Sequence, residues 1–132
     1  MPDVYLTSTL RTEWNRAFTV QLCQELEKQG FSVYLPQRDT HQRGTPHDIC
    51  HQNLEGIRNS SKLLAVCTNA SPNWGVEVGY AHAIGKKIIA LSLENDTVPE
   101  MTTSMIWQHI RTDLNQLNQY VSGLAELIRK DL

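Results

Sequence analysis

The segment SPNWGVEVGYAHAIGKK, residues 71 to 87, sets one carboxylate, Glu77, between Val76 and Val78 and two residues before Gly79. A lone glutamate on a helix is ordinarily a solvated surface residue. Here its neighbours Trp74, Val76, Val78, Tyr80 and Ala81 are too apolar for a water-facing stretch, and nothing close in sequence supplies a cation to pair with it. On a helix Glu77 shares a face with Asn73, Ala81 and Ile84, none of them basic. Pattern alone therefore leaves two readings open, a solvated charge or a carboxylate kept for chemistry. Other reactive types are less organised. Of the five histidines only His47 and His51 are spaced as an i,i+4 pair, and without a third ligand that pair reads as surface chemistry, so no metal is expected. Cys23, Cys50 and Cys67 form no CxxC pairing, and Cys23 and Cys67 fall inside apolar patterns, which favours buried thiols over redox or metal work.

The elements that must position Glu77 follow from the hydrophobic pattern. DVYLT (3 to 7) reads as a strand, and residues 13 to 30 as a helix in which Trp14, Phe18, Leu22 and Leu26 recur every four residues before a stop at Gly30. FSVYLP (31 to 36) is a second strand ended by proline, and QRDTHQRGTP (37 to 46) a polar loop. A helix beginning near Pro46 carries Ile49, Leu54 and Ile57 inward; KLLAVCT (62 to 68) is an apolar strand covered on both faces. WGVEVGYAHAIG (74 to 85) is helical with Gly85 as its cap, and KIIALSL (87 to 93) is another apolar strand. The alternation then weakens: MTTSMIW is a short helical piece, QHIRT a brief edge strand, and residues 113 to 132 a last helix with Leu114, Leu117, Val121, Leu124 and Ile128 as its stripe, packed on the sheet. Strands alternating with helices imply an α/β fold, a three-layer sandwich around a parallel five-stranded sheet, because parallel neighbours need crossover connections. A flavodoxin-like order, 2-1-3-4-5, is expected.

Size and charge narrow the function classes. A chain of 132 residues is one ordinary domain, able to bury a core without disulfides or a structural metal, and no linker or internal repeat divides it. A net charge of -2 with scattered Lys and Arg offers no basic stripe for a nucleic acid polymer and no polybasic run for a membrane. The chain enters DVYLTS without a charged leader and has no apolar stretch near the roughly 20 residues of a membrane span, so a cytoplasmic location is expected. In an open parallel sheet, ligands bind beyond the carboxyl ends of the strands where the strand order reverses. Those ends carry TSTLR, which starts at Thr7, PQRD, and NASPNWG, which includes Asn73; both Thr7 and Asn73 are candidate substrate-binding residues.

Four stretches in order, VYLTSTLR, GFSVYLPQRD, DICHQNLEGIRNSSKLLAV and above all GVEVGYAHAIGKKIIAL, make the chain resemble the nucleoside 2-deoxyribosyltransferase family, which also includes nucleoside 5′-monophosphate N-glycosidases. The resemblance covers most of residues 3 to 107. It implies that Glu77 is the nucleophile, attacking C1′ of the deoxyribose as the base departs and forming a covalent glycosyl ester. A second base or water then displaces the ester, with overall retention. Tyr5 matches a tyrosine that orients the nucleophile. Ser71, six residues before Glu77, stands where transferases carry an acidic residue for the sugar 5′-hydroxyl and monophosphate hydrolases carry a serine for the phosphate. Arg11 falls at a phosphate-contacting position, and Thr103 at a position that reaches into the neighbouring subunit's site. The stretch Gln37 to Asp39 matches a substrate-lining segment. Asn53 departs from the family, many of whose members have an aspartate there; an amide cannot protonate the leaving base, which leaves that proton to solvent or to Asp48 or Asp39. The expected activity is transfer of 2-deoxyribose between nucleobases, with hydrolysis of (deoxy)nucleoside monophosphates as the close alternative and a non-catalytic nucleotide-binding module as the third. The expected partners are a deoxynucleoside, a free nucleobase and further copies of the chain, with no cofactor.

Overall fold

In the computed structural model, which describes residues 1–131, β1 (Val4–Thr7), β2 (Val33–Tyr34), β3 (Lys62–Val66), β4 (Lys87–Ser92) and β5 (Gln108–Arg111) form one sheet ordered β2-β1-β3-β4-β5. All four pairings are parallel, with Tyr5 opposite both Tyr34 and Leu63, and Thr7 opposite Ala65. This is the flavodoxin-like order expected from the alternating pattern. The helices are α1 (Glu13–Lys28), α2 (Pro36–Asp39), α3 (Pro46–Asn59), α4 (Pro72–Ala83), α5 (Glu100–Thr103) and α6 (Leu117–Arg129).

Alternation along the strands divides the core in two. Val4, Leu6, Leu64, Val66, Ile89 and Leu91 point to the side covered by α1 and α6, where Phe18, Leu22, Leu26, Val121, Leu124 and Ile128 meet them. Tyr5, Leu63, Ala65, Ile88 and Ala90 point to the side covered by α3 and α4, against Ile57, Trp74, Val78 and Ala81. Chain direction is set by local chemistry. Thr12 caps α1 by accepting from the Asn15 N–H, and Gly30, at a φ of 92°, lets the chain turn back into the sheet.

Two expectations shift. The loop at 37 to 46 begins as the helical turn α2, because Pro36 sits at its first position and Asp39 reaches back to the Leu35 N–H. The last helix starts only at Leu117; Leu114 is buried ahead of it, its carbonyl taken by the Tyr120 hydroxyl at 2.6 Å. Residue 132, the end of the expected helix, lies outside the described residues. Cys23 and Cys67 are buried thiols, pushed up to about 11 and about 12 by burial, while Cys50 is exposed.

Candidate active site

The sheet order reverses between β1 and β3: the chain leaves β1 toward β2 on one side, and β3 toward β4 on the other. The loops after β1 and β3 diverge there and leave a cleft at the carboxyl edge. After β3, Asn69 turns the chain with a φ of 57°, Ser71 caps α4 by accepting from the Trp74 N–H, and Pro72 occupies its first turn. Trp74, Val78 and Ala81 then bury the inner face of α4. Glu77 comes out on the flank of that face, half-buried, over the end of β1.

Tyr5 and Thr7, two residues apart on β1, share one face of the strand and divide the carboxylate between them. The Tyr5 hydroxyl donates to Glu77 Oε2 at 3.0 Å and the Thr7 hydroxyl to Oε1 at 2.7 Å. One donor on each oxygen fixes the plane of the group and leaves lone pairs facing the cleft. Burial raises the Glu77 pKa, and the hydrogen bonds from Thr7, Tyr5 and Asn53 hold it back. Among the described residues no cation is bonded to it. The Tyr5 hydroxyl, buried and beside this carboxylate, is pushed far above its ordinary value and stays a donor.

Two joined hollows meet at Glu77, both lined by Ile49, Asn53, Asn73 and Glu77 itself. One, of about 350 Å³, is walled by Pro46, Leu54 and Val76, and is apolar. The other, of about 250 Å³, brings in Ser8, Thr9, Arg11, Gln42 and Ser71. Arg11 is its cation, and Glu77 the one carboxylate among its described lining residues. Ser71 lines this hollow as well as capping α4, and the cap uses only a lone pair of its hydroxyl.

Tyr5, Thr7, Arg11, Asn53, Ser71, Asn73 and Glu77 are thus gathered as the sequence suggested, and four other candidates are not. Gln37 turns toward α1, accepting from the Thr19 hydroxyl and donating to the Arg16 carbonyl. Asp39 is occupied by the Leu35 N–H and by Arg38; burial works against its charge, yet these bonds hold its carboxyl below the usual range, so it has no proton to give a departing base. Asp48 closes the capping box of α3 with Thr45 and faces a separate hollow with His41, His47 and His51. Among the described residues no group of three or more such side chains is placed to hold a metal. Thr103 is exposed on α5, bonded to the Pro99 carbonyl, and is not part of this chain's own cleft.

Two kinds of residue escaped the sequence reading. Ser8, Thr9 and Gln42 line the polar hollow from loops whose course no periodicity reveals. Asn15, fully buried, ties the diverging loops together: its amide donates to the Ser8 hydroxyl and the Thr68 carbonyl and accepts from Asn69. A signal for it existed, an amide at an inward position of an otherwise apolar helix face.

Residues 4–123 match the nucleoside 2-deoxyribosyltransferase family, and the chain belongs to that family. Membership puts it among enzymes that act on N-glycosidic bonds, by transfer or by hydrolysis. A Thermofilum pendens protein provisionally named 2′-deoxynucleoside 5′-phosphate N-hydrolase 1 is 26% identical over 116 residues, covering 82% of this chain and 81% of its own. Among solved structures, the 2-deoxyribosyltransferase of Bacillus psychrosaccharolyticus superposes with a TM-score of 0.75 at 18% identity, covering 92% of this chain and 94% of its own. The CMP N-glycosidase BcmB of Clostridium botulinum does so with a TM-score of 0.64 at 21% identity, covering 92% and 96%. At these identities the two structures speak to the fold. No helix among the described residues is long and apolar enough to cross a membrane.

Proposed function

We propose that the protein cleaves the N-glycosidic bond of 2′-deoxynucleoside 5′-monophosphates, with Glu77 as nucleophile and water as acceptor. The observation that carries this reading is the position of Glu77 on the border between an apolar hollow suited to a base and a polar hollow with Arg11 and Ser71 suited to a 5′-phosphate. A 5′-hydroxyl would call for an acidic partner, and at that end the cleft offers a serine and a guanidinium, which suit an anion better.

The ionised Glu77 attacks C1′ while the C1′–N bond breaks with its electron pair going to the base, through an oxocarbenium-like transition state. Glu77 stabilises that positive charge and then bonds to it, forming a glycosyl ester. The leaving base takes its proton from solvent, because Asn53 is an amide and Asp39 and Asp48 face elsewhere. Water then attacks C1′ from the face the base vacated, gives up a proton to solvent, and returns Glu77 to its carboxylate. Two inversions retain the anomeric configuration.

Transfer of the sugar to a second nucleobase, the activity first expected, is the other reading. The apolar hollow supports it, since a free base can re-enter there before water does. A non-catalytic module is disfavoured by a carboxylate that is desolvated and held by two hydroxyls but bonded to no cation among the described residues. Incubation with deoxynucleoside monophosphates alone, and with deoxyinosine plus adenine, separates the three as base release, base exchange or neither. Exchange without release from monophosphates ends the hydrolase reading. The exposed Thr103 is free to meet a second subunit's cleft, and full activity from a monomer would end that expectation.

A further inference from the structure

Asn53 sits where the two hollows meet, and a short chain of hydroxyls lies behind it. Thr40, only 4% exposed, places its hydroxyl oxygen 2.6 Å from Asn53 Oδ1 and 2.7 Å from the Tyr34 hydroxyl. A threonine hydroxyl has one proton to donate. With that proton on Asn53 Oδ1, the Thr40 oxygen accepts from Tyr34, and the chain runs Tyr34 to Thr40 to Asn53. The Tyr34 ring at its head is fixed from two sides. It stacks on Tyr5 with centroids 5.1 Å apart and planes 10° apart, and it lies so close over Gly56 that a Cβ there would meet the ring at 3.0 Å.

The reverse direction is electrostatically unfavourable. It would have Asn53 donate to Thr40 and Thr40 to Tyr34, turning the Asn53 carbonyl toward the Glu77 carboxylate, acceptor against acceptor. We infer that Tyr34 and Thr40 are positioning residues that hold the Asn53 amide with its NH2 toward Glu77 and the sugar–base bond, making residue 53 a donor-only group in the cleft. This deepens the proposed function and rests on its assignment of Glu77. One consequence concerns substrate choice. The atom that meets Asn53, on sugar or base, must be an acceptor, and a leaving base draws no proton from it.

The titratable and charged groups sharing the cleft with Glu77 are Tyr5 from β1, Arg11 from the β1–α1 loop and Cys50 from α3. None is a member of the hydroxyl chain, and although Tyr5 stacks on Tyr34, the Asn53→Ala background separates an effect carried through Tyr5 from one carried through Asn53. The test is the titration midpoint of the Glu77 carboxyl, followed by carbon NMR and assigned by its loss in Glu77→Gln, together with the pH profile of kcat. Thr40→Val should move the midpoint upward, because the freed amide no longer donates steadily to the carboxylate, and should lower kcat roughly tenfold with a smaller effect on KM. Thr40→Ser should restore both. Tyr34→Phe, which keeps the ring stack and removes one oxygen, should move the midpoint the same way by less, and it carries the test if Thr40→Val does not fold. In an Asn53→Ala background neither change should move the midpoint further. An unmoved midpoint in Thr40→Val or Tyr34→Phe, or an undiminished shift without Asn53, overturns the inference. Turnover retained in Glu77→Gln while the shifts persist overturns the nucleophile assignment and leaves the hydroxyl chain in place.

Discussion

The two faces of the sheet do different work with the same strands. On the α1 and α6 side the strand residues are large and aliphatic, and the helices answer with Phe18, Leu22, Leu26, Leu124 and Ile128. On the α3 and α4 side the strands offer Tyr5, Ala65 and Ala90, and the helices offer Ala81 and Gly56, small residues that leave room for the rings of Tyr34 and Trp74. That second face ends in Thr7 and Glu77 rather than in leucines. Because side chains alternate along a strand, Val4 and Leu6 can serve stability while Tyr5 and Thr7 serve the carboxylate. A one-residue slip of β1 would exchange the two roles. The difference teaches that the cost of keeping a desolvated carboxylate is concentrated on one face and offset by packing on the other.

Paired substitutions should separate the faces. Glu77→Ala is expected to lower turnover by about a thousandfold or more with little change in melting temperature, and Leu22→Ala to cost about 2–5 kcal/mol of stability while the folded fraction keeps its kcat. Calorimetry beside a base-release assay checks both, and Leu22→Ala slowing catalysis well below its melting point would break the division. Tyr5→Phe removes one donor from the carboxylate and should lower kcat/KM about tenfold while its acidic limb moves upward in pH. Arg11→Ala should raise KM for a monophosphate by roughly tenfold and leave the nucleoside's KM unchanged; equal effects on the two would detach Arg11 from the phosphate.

The smallest expected effect is on stability. Folding raises the Glu77 pKa, so the unfolded chain releases its proton first as pH rises, and this group's contribution to stability falls between the ordinary carboxylate pKa and the folded one. Glu77→Gln has no such loss. Its melting temperature should exceed that of the native chain near neutral pH, and the gap should close below about pH 4, where both side chains are neutral. A gap that widens on acidification would mean that Glu77 is stabilised as the anion.

The sheet order was legible because strands buried on both faces print as apolar runs, and LLAV and IIAL have that form. Glu77 stood out because its neighbours were apolar. Its partners carried no pattern of their own: Tyr5 was named through the resemblance and Thr7 by its strand end, and they lie 72 and 70 residues away and meet Glu77 only through the crossover that brings α4 back over β1. Gln37 and Asp39 were placed in the site by their strand end and by the resemblance, and Asp48 as a proton source in place of Asn53. Their side chains follow local partners instead, Thr19, the Leu35 N–H and Thr45, and such choices leave no periodicity to read. Thr40 was silent for the same reason, a buried threonine in a polar stretch whose meaning depends on Tyr34 and Asn53.

The central claim is that Glu77 bonds covalently to the sugar. Intact-mass spectrometry of the protein quenched during turnover, followed by peptide mapping, tests it directly. The account predicts a mass gain equal to the deoxyribosyl 5′-phosphate residue, or to deoxyribosyl with a nucleoside substrate, located on the peptide that contains Glu77 and absent from Glu77→Ala. An adduct on another residue, or one that survives in Glu77→Ala, would contradict it.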